Sequence, residues 1–388
     1  MRQLRVGMIG GGFMGKAHAL AYAAMPMFFW PAPAIPMRRM IADATAELAE
    51  EARARFGFEK AARDWREVVE SDEIDAIDIV TPNDSHAEIA IAAARAGKHV
   101  MCEKPLARTG AEAKAMRDAV REAGVINMVA FNYRHTPAVA LAKKLIADGR
   151  IGTILNFRGT YLQDWSASPD SPLSWRFQKK IAGSGALGDI GTHVIDLARH
   201  LVGEIVAVNA MTRTYIKERP QQNSGVDKLG AAQRLTGVPK APVDVDDEML
   251  TLLRFGDGAI GSIEATRNAY GRNNYLTFEI HGTAGSLCFN YERRDELQVM
   301  FADDPPDCRG FRTIYTGPAH PYGEGLWPIP ALGIGYSETK IIEAYLFVKA
   351  VSEGRQPSPG FEDGYRVSAI ADAIIASAER QSWTDVAS

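Results

Sequence analysis

At 388 residues the chain is too long for one ordinary compact domain, and two domains are expected. A hydrophobic content of 46%, a charged content of 24% and a net charge of −4 are those of a globular protein and exclude the basic stripe of a nucleic-acid binder. The three cysteines, Cys102, Cys288 and Cys308, are odd in number and far apart, so neither a disulfide framework nor a zinc cluster is expected, and no metal.

In chain order, Arg5–Ile9 reads as a buried strand that the fold needs, so the opening is not a removable leader and a cytoplasmic location is expected. A glycine turn, Gly10-Gly11-Gly12-Phe13-Met14-Gly15, leads into a helix over Lys16–Ala24. The apolar run Met25–Met37 holds four prolines and is too short and broken to span a bilayer. Strands are then predicted at Arg39–Ala42, Ala76–Thr81, His99–Cys102 and Ile126–Ala130. They alternate with helices at Ala44–Phe56, His86–Ala96 and Gly110–Ala123, the pattern of a parallel sheet with crossover helices. Gly57, Gly97 and Gly124 follow helices where a left-handed cap is expected.

Beyond this the pattern changes. Strands at Thr153–Tyr161, Ile205–Ile216, Met249–Phe255, Ala259–Thr266, Leu276–His281, Ser286–Asn290 and Leu297–Phe301 follow one another through turns, as in an antiparallel sheet. Arg219–Asp244 reads as a long loop, Asp303–Gly335 resists assignment, and helices Glu338–Val351 and Val367–Glu379 close the chain. The reading is α/β: a dinucleotide-binding domain over 1–131 and a second α/β domain over 132–388 with a mostly antiparallel open sheet, the change falling between Phe131 and Ile151 and a final helix being able to pack back across it.

Gly10-x-Gly12-x-x-Gly15 matches a dinucleotide fingerprint. The first glycine permits the turn, the second lets backbone approach a pyrophosphate, and the third lets helix and strand pack. The helix N-terminus, with Phe13 and Met14 in its first turn, offers N–H groups to the phosphates. Asp43 ends the second strand, where a carboxylate accepts from both ribose hydroxyls and repels a 2′-phosphate, favouring NAD over NADP. The alternative for Asp43 is an N-cap of the following helix. Arg38 and Arg39 start the strand, far from the pocket end. Thr81-Pro82-Asn83 ends another strand at the same edge. Asn83 contacts the nicotinamide half or caps a helix, and His86 reads as structural.

Val100-Met101-Cys102-Glu103-Lys104-Pro105 places a lysine at a strand end on the ligand edge. There a cation can stabilise a developing alkoxide, while Glu103 pairs with Lys104 or reaches the nicotinamide ribose. In Gly183-Ser184-Gly185-Ala186-Leu187-Gly188-Asp189-Ile190-Gly191-Thr192-His193, Asp189 and His193 stand four apart. On a helix they share a face, so the carboxylate can orient the imidazole as proton acceptor. Tyr161, Gln163 and Trp165 point one way at strand period, with Trp175 and Arg176 nearby. Aromatic faces suit a sugar ring, and Gln and Arg bond hydroxyls. Tyr133 and Arg134 line the same cleft, and no Lys/Arg cluster suggests a phosphorylated substrate.

The glycine turn, Glu103-Lys104-Pro105, Asp189-x-Gly191-x-His193 and Phe361-Glu362-Asp363-Gly364 resemble, over nearly the whole chain, the glucose–fructose oxidoreductase / inositol dehydrogenase / MocA family. The resemblance implies a Rossmann domain, a second domain whose open sheet builds dimers or tetramers, and Lys104, Asp189 and His193 as the catalytic set. The cofactor contacts expected are Gly10, Gly12, Phe13, Met14, Gly15, Asp43, Thr81, Pro82, Asn83, Glu103 and Lys104. Those expected for substrate are Lys104, Tyr133, Tyr161, Gln163, Trp165, Arg176, Asp189 and His193. Within the family the chain is similar to dehydrogenases of neutral cyclic sugars and polyols, and NAD-dependent oxidation of a ring secondary hydroxyl of levoglucosan is expected. Scyllo- or myo-inositol and L-glucose are the alternatives. A cofactor-sensing regulator is disfavoured by the intact Lys104, Asp189 and His193, and a glycosidase with bound NAD would need another acid/base set. No nucleic-acid or membrane partner is expected.

Overall fold

In the computed structural model, which describes residues 2–221 and 235–387, the chain begins with strand β1 (Gln3–Ile9) and the long helix α1 (Phe13–Phe28). There follow β2 (Ile35–Ala42), α2 (Ala46–Phe56), β3 (Lys60–Ala62), α3 (Trp65–Glu70), β4 (Ala76–Ile79), α4 (His86–Arg95), β5 (His99–Cys102), α5 (Gly110–Ala123) and β6 (Asn127–Val129). The six strands form a parallel sheet in the order β3-β2-β1-β4-β5-β6. That is the doubly wound Rossmann order, whose switch point lies between β1 and β4. β4 is buried along its whole length, as a central parallel strand must be, yet it carries Asp78.

The departures from expectation have local causes. α1 runs past Ala24 and through Pro26, which forgoes its own intrahelical hydrogen bond close to the helix end. β2 starts four residues early, with Pro36 opposite Leu4 and ahead of Met40, where β3 joins the other edge, so no ladder bond to β3 is broken. α2 starts at Ala46 because Thr45 caps it, its Oγ1 accepting from Leu48 N at 3.3 Å. Gly57, Gly97 and Gly124 adopt φ of 71°, 72° and 64°, the left-handed conformation that a side chain would disfavour.

The second set of elements opens with α6 (Pro137–Ala147), β7 (Ile154–Leu162), α7 (Lys179–Ala182), α8 (Thr192–Leu201) and β8 (Ile205–Arg213). A small antiparallel pair, β9 (Glu218–Pro220) with β10 (Lys240–Pro242), occupies part of the expected 219–244 loop, whose residues 222–234 lie outside the described residues. Then come β11 (Glu248–Phe255), β12 (Ile260–Thr266), β13 (Tyr275–Gly282), β14 (Gly285–Asn290), β15 (Glu296–Phe301) and β16 (Arg312–Tyr315). With the terminal β17 (Thr384–Asp385) they form a nine-stranded sheet, β16-β15-β14-β13-β7-β12-β11-β8-β17. Every pairing is antiparallel except β7 with β12.

Two more helices, α9 (Tyr336–Glu353) and α10 (Phe361–Arg380), complete the chain. Of the described residues, 2–132 and 335–368 form one compact unit; 133–221, 235–334 and 369–387 form the other. The first unit thus takes in α9 as well as the N-terminal segment. α9 carries Ile341, Ala344, Phe347 and Val348 into the same core as Tyr22 and Met25 of α1, and Tyr345 stacks on Phe29 at 4.1 Å. The proline-bearing segment after α1 thus packs against α9.

Candidate active site

The glycine turn meets two steric demands and leaves one position open. At Gly10, whose φ is +108°, a Cβ would sit 2.8 Å from Val80 O; at Gly15 it would sit 2.6 Å from Gly10 O; at Gly12 it would meet nothing within 4 Å. The first and third glycines close the turn, and the second faces open space at the start of α1. No side chain caps α1 there, and its first turn holds no acid. A sixteen-residue helix ending in this way suits a pyrophosphate. Phe13 and Met14 are held from α9, Phe13 stacking on Tyr336 at 6.0 Å and Met14 Sδ accepting from Tyr336 Oη at 3.6 Å. Asp43 is not the cap of α2. Its Oδ2 accepts from Gly11 N at 2.9 Å and its Oδ1 from Ala44 N at 2.6 Å, which fixes the carboxylate at the edge of the glycine turn. Arg38 donates to Phe56 O at 2.7 Å, and Arg39 pairs with Glu59 and Glu73, so both guanidinium groups are engaged elsewhere.

At the next two strand ends, the buried His86 ring bridges the loops, with Nδ1 3.1 Å from Pro105 O and Nε2 3.0 Å from Thr81 O. Burial holds this imidazole below its ordinary pKa, consistent with a neutral brace. Asn83 is buried, and Ser85 Oγ donates to Thr81 Oγ1 at 2.6 Å. The Lys104–Pro105 peptide is cis.

Glu103 faces inward. Its Oε1 accepts from His18 Nε2 at 3.0 Å and Lys340 Nζ at 2.8 Å, and its Oε2 from the backbone N of Lys104 at 3.0 Å. His18 Nδ1 lies 2.9 Å from Asp78 Oδ2, and Lys340 also donates to Glu343 at 2.9 Å. All five groups are buried. Burial alone would strip the charge from His18, Glu103, Lys340 and Glu343. Instead Asp78 and Glu103 outweigh it and raise His18 to about 9. Lys340 and His18 hold Glu103 well below the carboxylate range, and Glu103 with Glu343 holds Lys340 well above the lysine range. Glu343 is pushed up, chiefly by burial. Only Glu103 of this cluster was singled out in the sequence, where a ribose contact or a partnership with Lys104 was expected of it. His18, Asp78, Lys340 and Glu343 carry no motif that spacing reveals.

In the second unit, residues Leu187–Gly191 wind as a π-turn that runs straight into α8, a local widening common at functional sites. It carries Asp189 one turn ahead of the buried His193. Asp189 Oδ2 pairs with Arg267 Nη1 at 3.3 Å. Tyr133 lies against the His193 ring with centroids 4.4 Å apart, and Tyr161 stands 6.0 Å from it. Arg134, expected beside Tyr133 on the cleft, is instead buried in a two-point pair with Asp196 of α8, both contacts at 2.6 Å. The pair ties Arg134 to α8.

The expected wall forms, though not as one strand face, because β7 ends at Leu162. Gln163 N still donates to Thr266 O at 2.9 Å, which keeps the chain beside β12 for one more residue. Tyr161 Oη donates to Asn274 Oδ1 at 2.6 Å, Gln163 Nε2 donates to the same oxygen at 2.8 Å, and Trp165 Nε1 donates to Gln163 Oε1 at 2.9 Å. Tyr133 and Tyr161 hydroxyls lie 2.8 Å apart, and Asn274 Nδ2 reaches Tyr133 Oη at 3.3 Å. Asn274 is the residue the sequence reading missed, since a lone asparagine in a turn carries no signal. Arg176 lies over Trp175 at 4.3 Å, and burial lowers its pKa while Asp189 opposes that shift. The fold also gathers arginines that are distant in sequence. Arg219 and Arg267 stand with Phe177 at 4.1 and 5.0 Å, but both are fully buried and offer no surface to a phosphate.

A dinucleotide cradle, a lysine at a Rossmann strand end and an Asp/His helix against an aromatic wall are the parts of a nicotinamide-dependent oxidoreductase. Residues 4–131 match the NAD-binding Rossmann fold of an oxidoreductase family, and residues 139–288 match the GFO/IDH/MocA C-terminal domain. The chain belongs to the GFO/IDH/MocA family. It is 69% identical over 386 residues to levoglucosan dehydrogenase of Pseudarthrobacter phenanthrenivorans, covering 100% of this chain and 99% of that one. A solved structure of levoglucosan dehydrogenase in complex with NADH and levoglucosan has a TM-score of 0.95 at 67% identity, with both chains covered completely. The NAD(+)-dependent scyllo-inositol 2-dehydrogenase of Bacillus subtilis is 29% identical over 359 residues, 92% of this chain and 88% of that one. Among the described residues there is no group of three or more His, Cys, Asp or Glu fit to hold a metal ion, and no helix is long and apolar enough to cross a membrane.

Proposed function

We propose that this chain oxidises levoglucosan (1,6-anhydroglucose) at a ring secondary hydroxyl to the ketone, with NAD as acceptor. The observation that carries the reading is the 69% identity, across the full length, to a levoglucosan dehydrogenase. The wall of Tyr133, Tyr161, Gln163, Trp165 and Arg176 supports it, since aromatic faces and amide or guanidinium donors suit a rigid, neutral, hydroxyl-bearing ring.

Oxidation of an alcohol removes a proton from oxygen and a hydride from carbon. NAD, when bound, supplies the hydride acceptor. His193 takes the hydroxyl proton, and Asp189 orients its ring and stabilises the imidazolium that forms. Lys104 stabilises the negative charge that grows on oxygen and fixes the hydroxyl. Gly10, Gly12, Gly15, Phe13 and Met14 frame the pyrophosphate cradle. Asp43 accepts from the adenosine ribose, Thr81, Pro82 and Asn83 shape the nicotinamide edge, and the inward-facing Glu103 holds the Lys104 backbone behind it.

A panel of levoglucosan, myo-inositol, scyllo-inositol, L-glucose and D-glucose with NAD, followed by NADH absorbance, tests the substrate. Levoglucosan should give the highest kcat/KM. Preference for an inositol or L-glucose would transfer the assignment to that substrate, and inertness toward all five would sink it. Asp43→Ser should narrow the ratio of NAD to NADP turnover, because a carboxylate that repels the 2′-phosphate is gone. Wild-type turnover with NADP equal to that with NAD would refute this role.

The protein acts in the cytoplasm as a homo-oligomer, a dimer or tetramer, in this reading. Met211, Leu250, Leu252 and Ile260 are 68%, 43%, 55% and 62% exposed on adjoining strands of the nine-stranded sheet. Leu250 pairs with Met211, and Arg254 on the same face pairs with Ile260. Exposed apolar side chains on one face of the sheet, interspersed with Glu264 and Arg254, support association with a second copy.

A further inference from the structure

We infer that Arg267, together with the Asp246 clamp beside it, is the positioning device for Asp189, and hence for the proton acceptor His193. The inference rests on the catalytic reading of Asp189 and His193 given above.

The side chain of Arg267 is completely buried, whereas that of Asp189 keeps 21% of its surface exposed. The guanidinium therefore cannot touch a substrate, but it holds the inner side of a carboxylate whose outer side is accessible. Nη1 meets Asp189 Oδ2 at 3.3 Å, Nη2 meets Asp246 O at 3.5 Å, and Nε has no hydrogen-bond partner among the described residues. Trp165 and Phe177 rings flank the group at 5.3 and 5.0 Å. A fully desolvated cation with one long carboxylate contact and an unmatched N–H is a poor stabilising device, because desolvation costs more than so few contacts return. Its geometry makes sense as support for the group it faces.

Asp246 fixes the approach to that group. Its Oδ1 accepts from Gly185 N at 2.6 Å, its Oδ2 from Leu187 N at 2.8 Å, and its carbonyl from Ala186 N at 3.0 Å. A Cβ at Gly185 would lie 1.8 Å from Asp246 O, so glycine is required for this approach. Three successive N–H groups leading into the π-turn are thus tied to one residue, and Arg267 bridges that residue to Asp189. The same guanidinium flanks Trp165, so one buried cation sets both the acid/base pair and an end of the sugar wall.

The test is Arg267→Met, which keeps the side chain's length and apolar stem but removes the charge, beside Arg267→Lys, which keeps the charge and loses the fork. Wild-type turnover of the sugar is the control; its absence would refute the functional reading itself, not the role of Arg267. With active wild type, R267M should lower kcat by about 10- to 100-fold, as expected when a catalytic group is displaced by a fraction of an ångström to an ångström. The KM for NAD should stay unchanged, and R267K should recover part of the loss. In an Asp189→Asn background the same substitution should cost less than threefold, since the group it positions is already disabled. Wild-type kcat in R267M, or full additivity with D189N, would overturn the inference. Should R267M fail to fold, R267K decides: a kcat reduced threefold or more with unchanged KM for NAD supports positioning, and wild-type kcat makes Arg267 a structural pin only.

Discussion

Replacing His193 by alanine is expected to lower kcat by about 10²–10⁴-fold, the usual loss when a positioned acid/base group is removed. Lys104→Ala should fall in the same range, because the developing alkoxide loses its cation. Neither change touches the glycine cradle, so NADH affinity, read by fluorescence titration, should stay within a few-fold of wild type. His193 packs against Tyr133 and is only 5% exposed, which makes its surroundings rigid enough that water is a poor substitute for the imidazole. Near-normal turnover in H193A would mean that another base is at work, and near-normal turnover in K104A that the alkoxide is stabilised elsewhere.

The second large effect is on stability. Lys340→Met should destabilise the protein by about 3–5 kcal/mol, the cost of leaving an ionised buried partner uncompensated. Lys340 is 1% exposed and lies 2.8 Å from Glu103 and 2.9 Å from Glu343, so its removal leaves two carboxyl groups facing each other with only His18 to balance them and Asp78. The remaining groups must take up a proton or admit water. Chemical denaturation at neutral pH reads this directly, and an unchanged midpoint would contradict the ionised cluster. Because Glu103 Oε2 also fixes the backbone N–H of Lys104, loosening the cluster should reduce turnover in the molecules that remain folded.

The cofactor half was the more legible in sequence, for a physical reason. Gly10 and Gly15 are required by backbone geometry within one turn and Gly12 leaves the cradle open between them, so their spacing is fixed and visible. The helix caps at Gly57, Gly97 and Gly124 are local in the same sense. Lys104 and the Asp189/His193 pair were readable because one strand end and one helical turn set their positions. What escaped was non-local. His18, Asp78, Lys340 and Glu343 meet only after α9 has packed on α1, and each looks unremarkable alone. Arg267 and Asp246 lie 78 and 57 positions from the residue they support. Arg134 was misjudged because its neighbour Tyr133 does face His193, while Arg134 itself is drawn to Asp196. Asp43 escaped its alternative role because Thr45, two residues on, took the cap.

The interleaved chain has a consequence for biosynthesis. α1, β4 and β5 bring His18, Asp78 and Glu103 together early, but the lysine that balances them and the apolar face that covers Tyr22 and Met25 belong to α9. Roughly 200 residues separate the end of the first segment from that helix. At about 5–20 residues per second the nascent sheet waits on the order of 10–40 s for its last layer. During that interval α1 presents an uncovered apolar flank, and Asp78 and Glu103 lack the lysine that balances them. Pausing or truncation before residue 335 would strand it in that state.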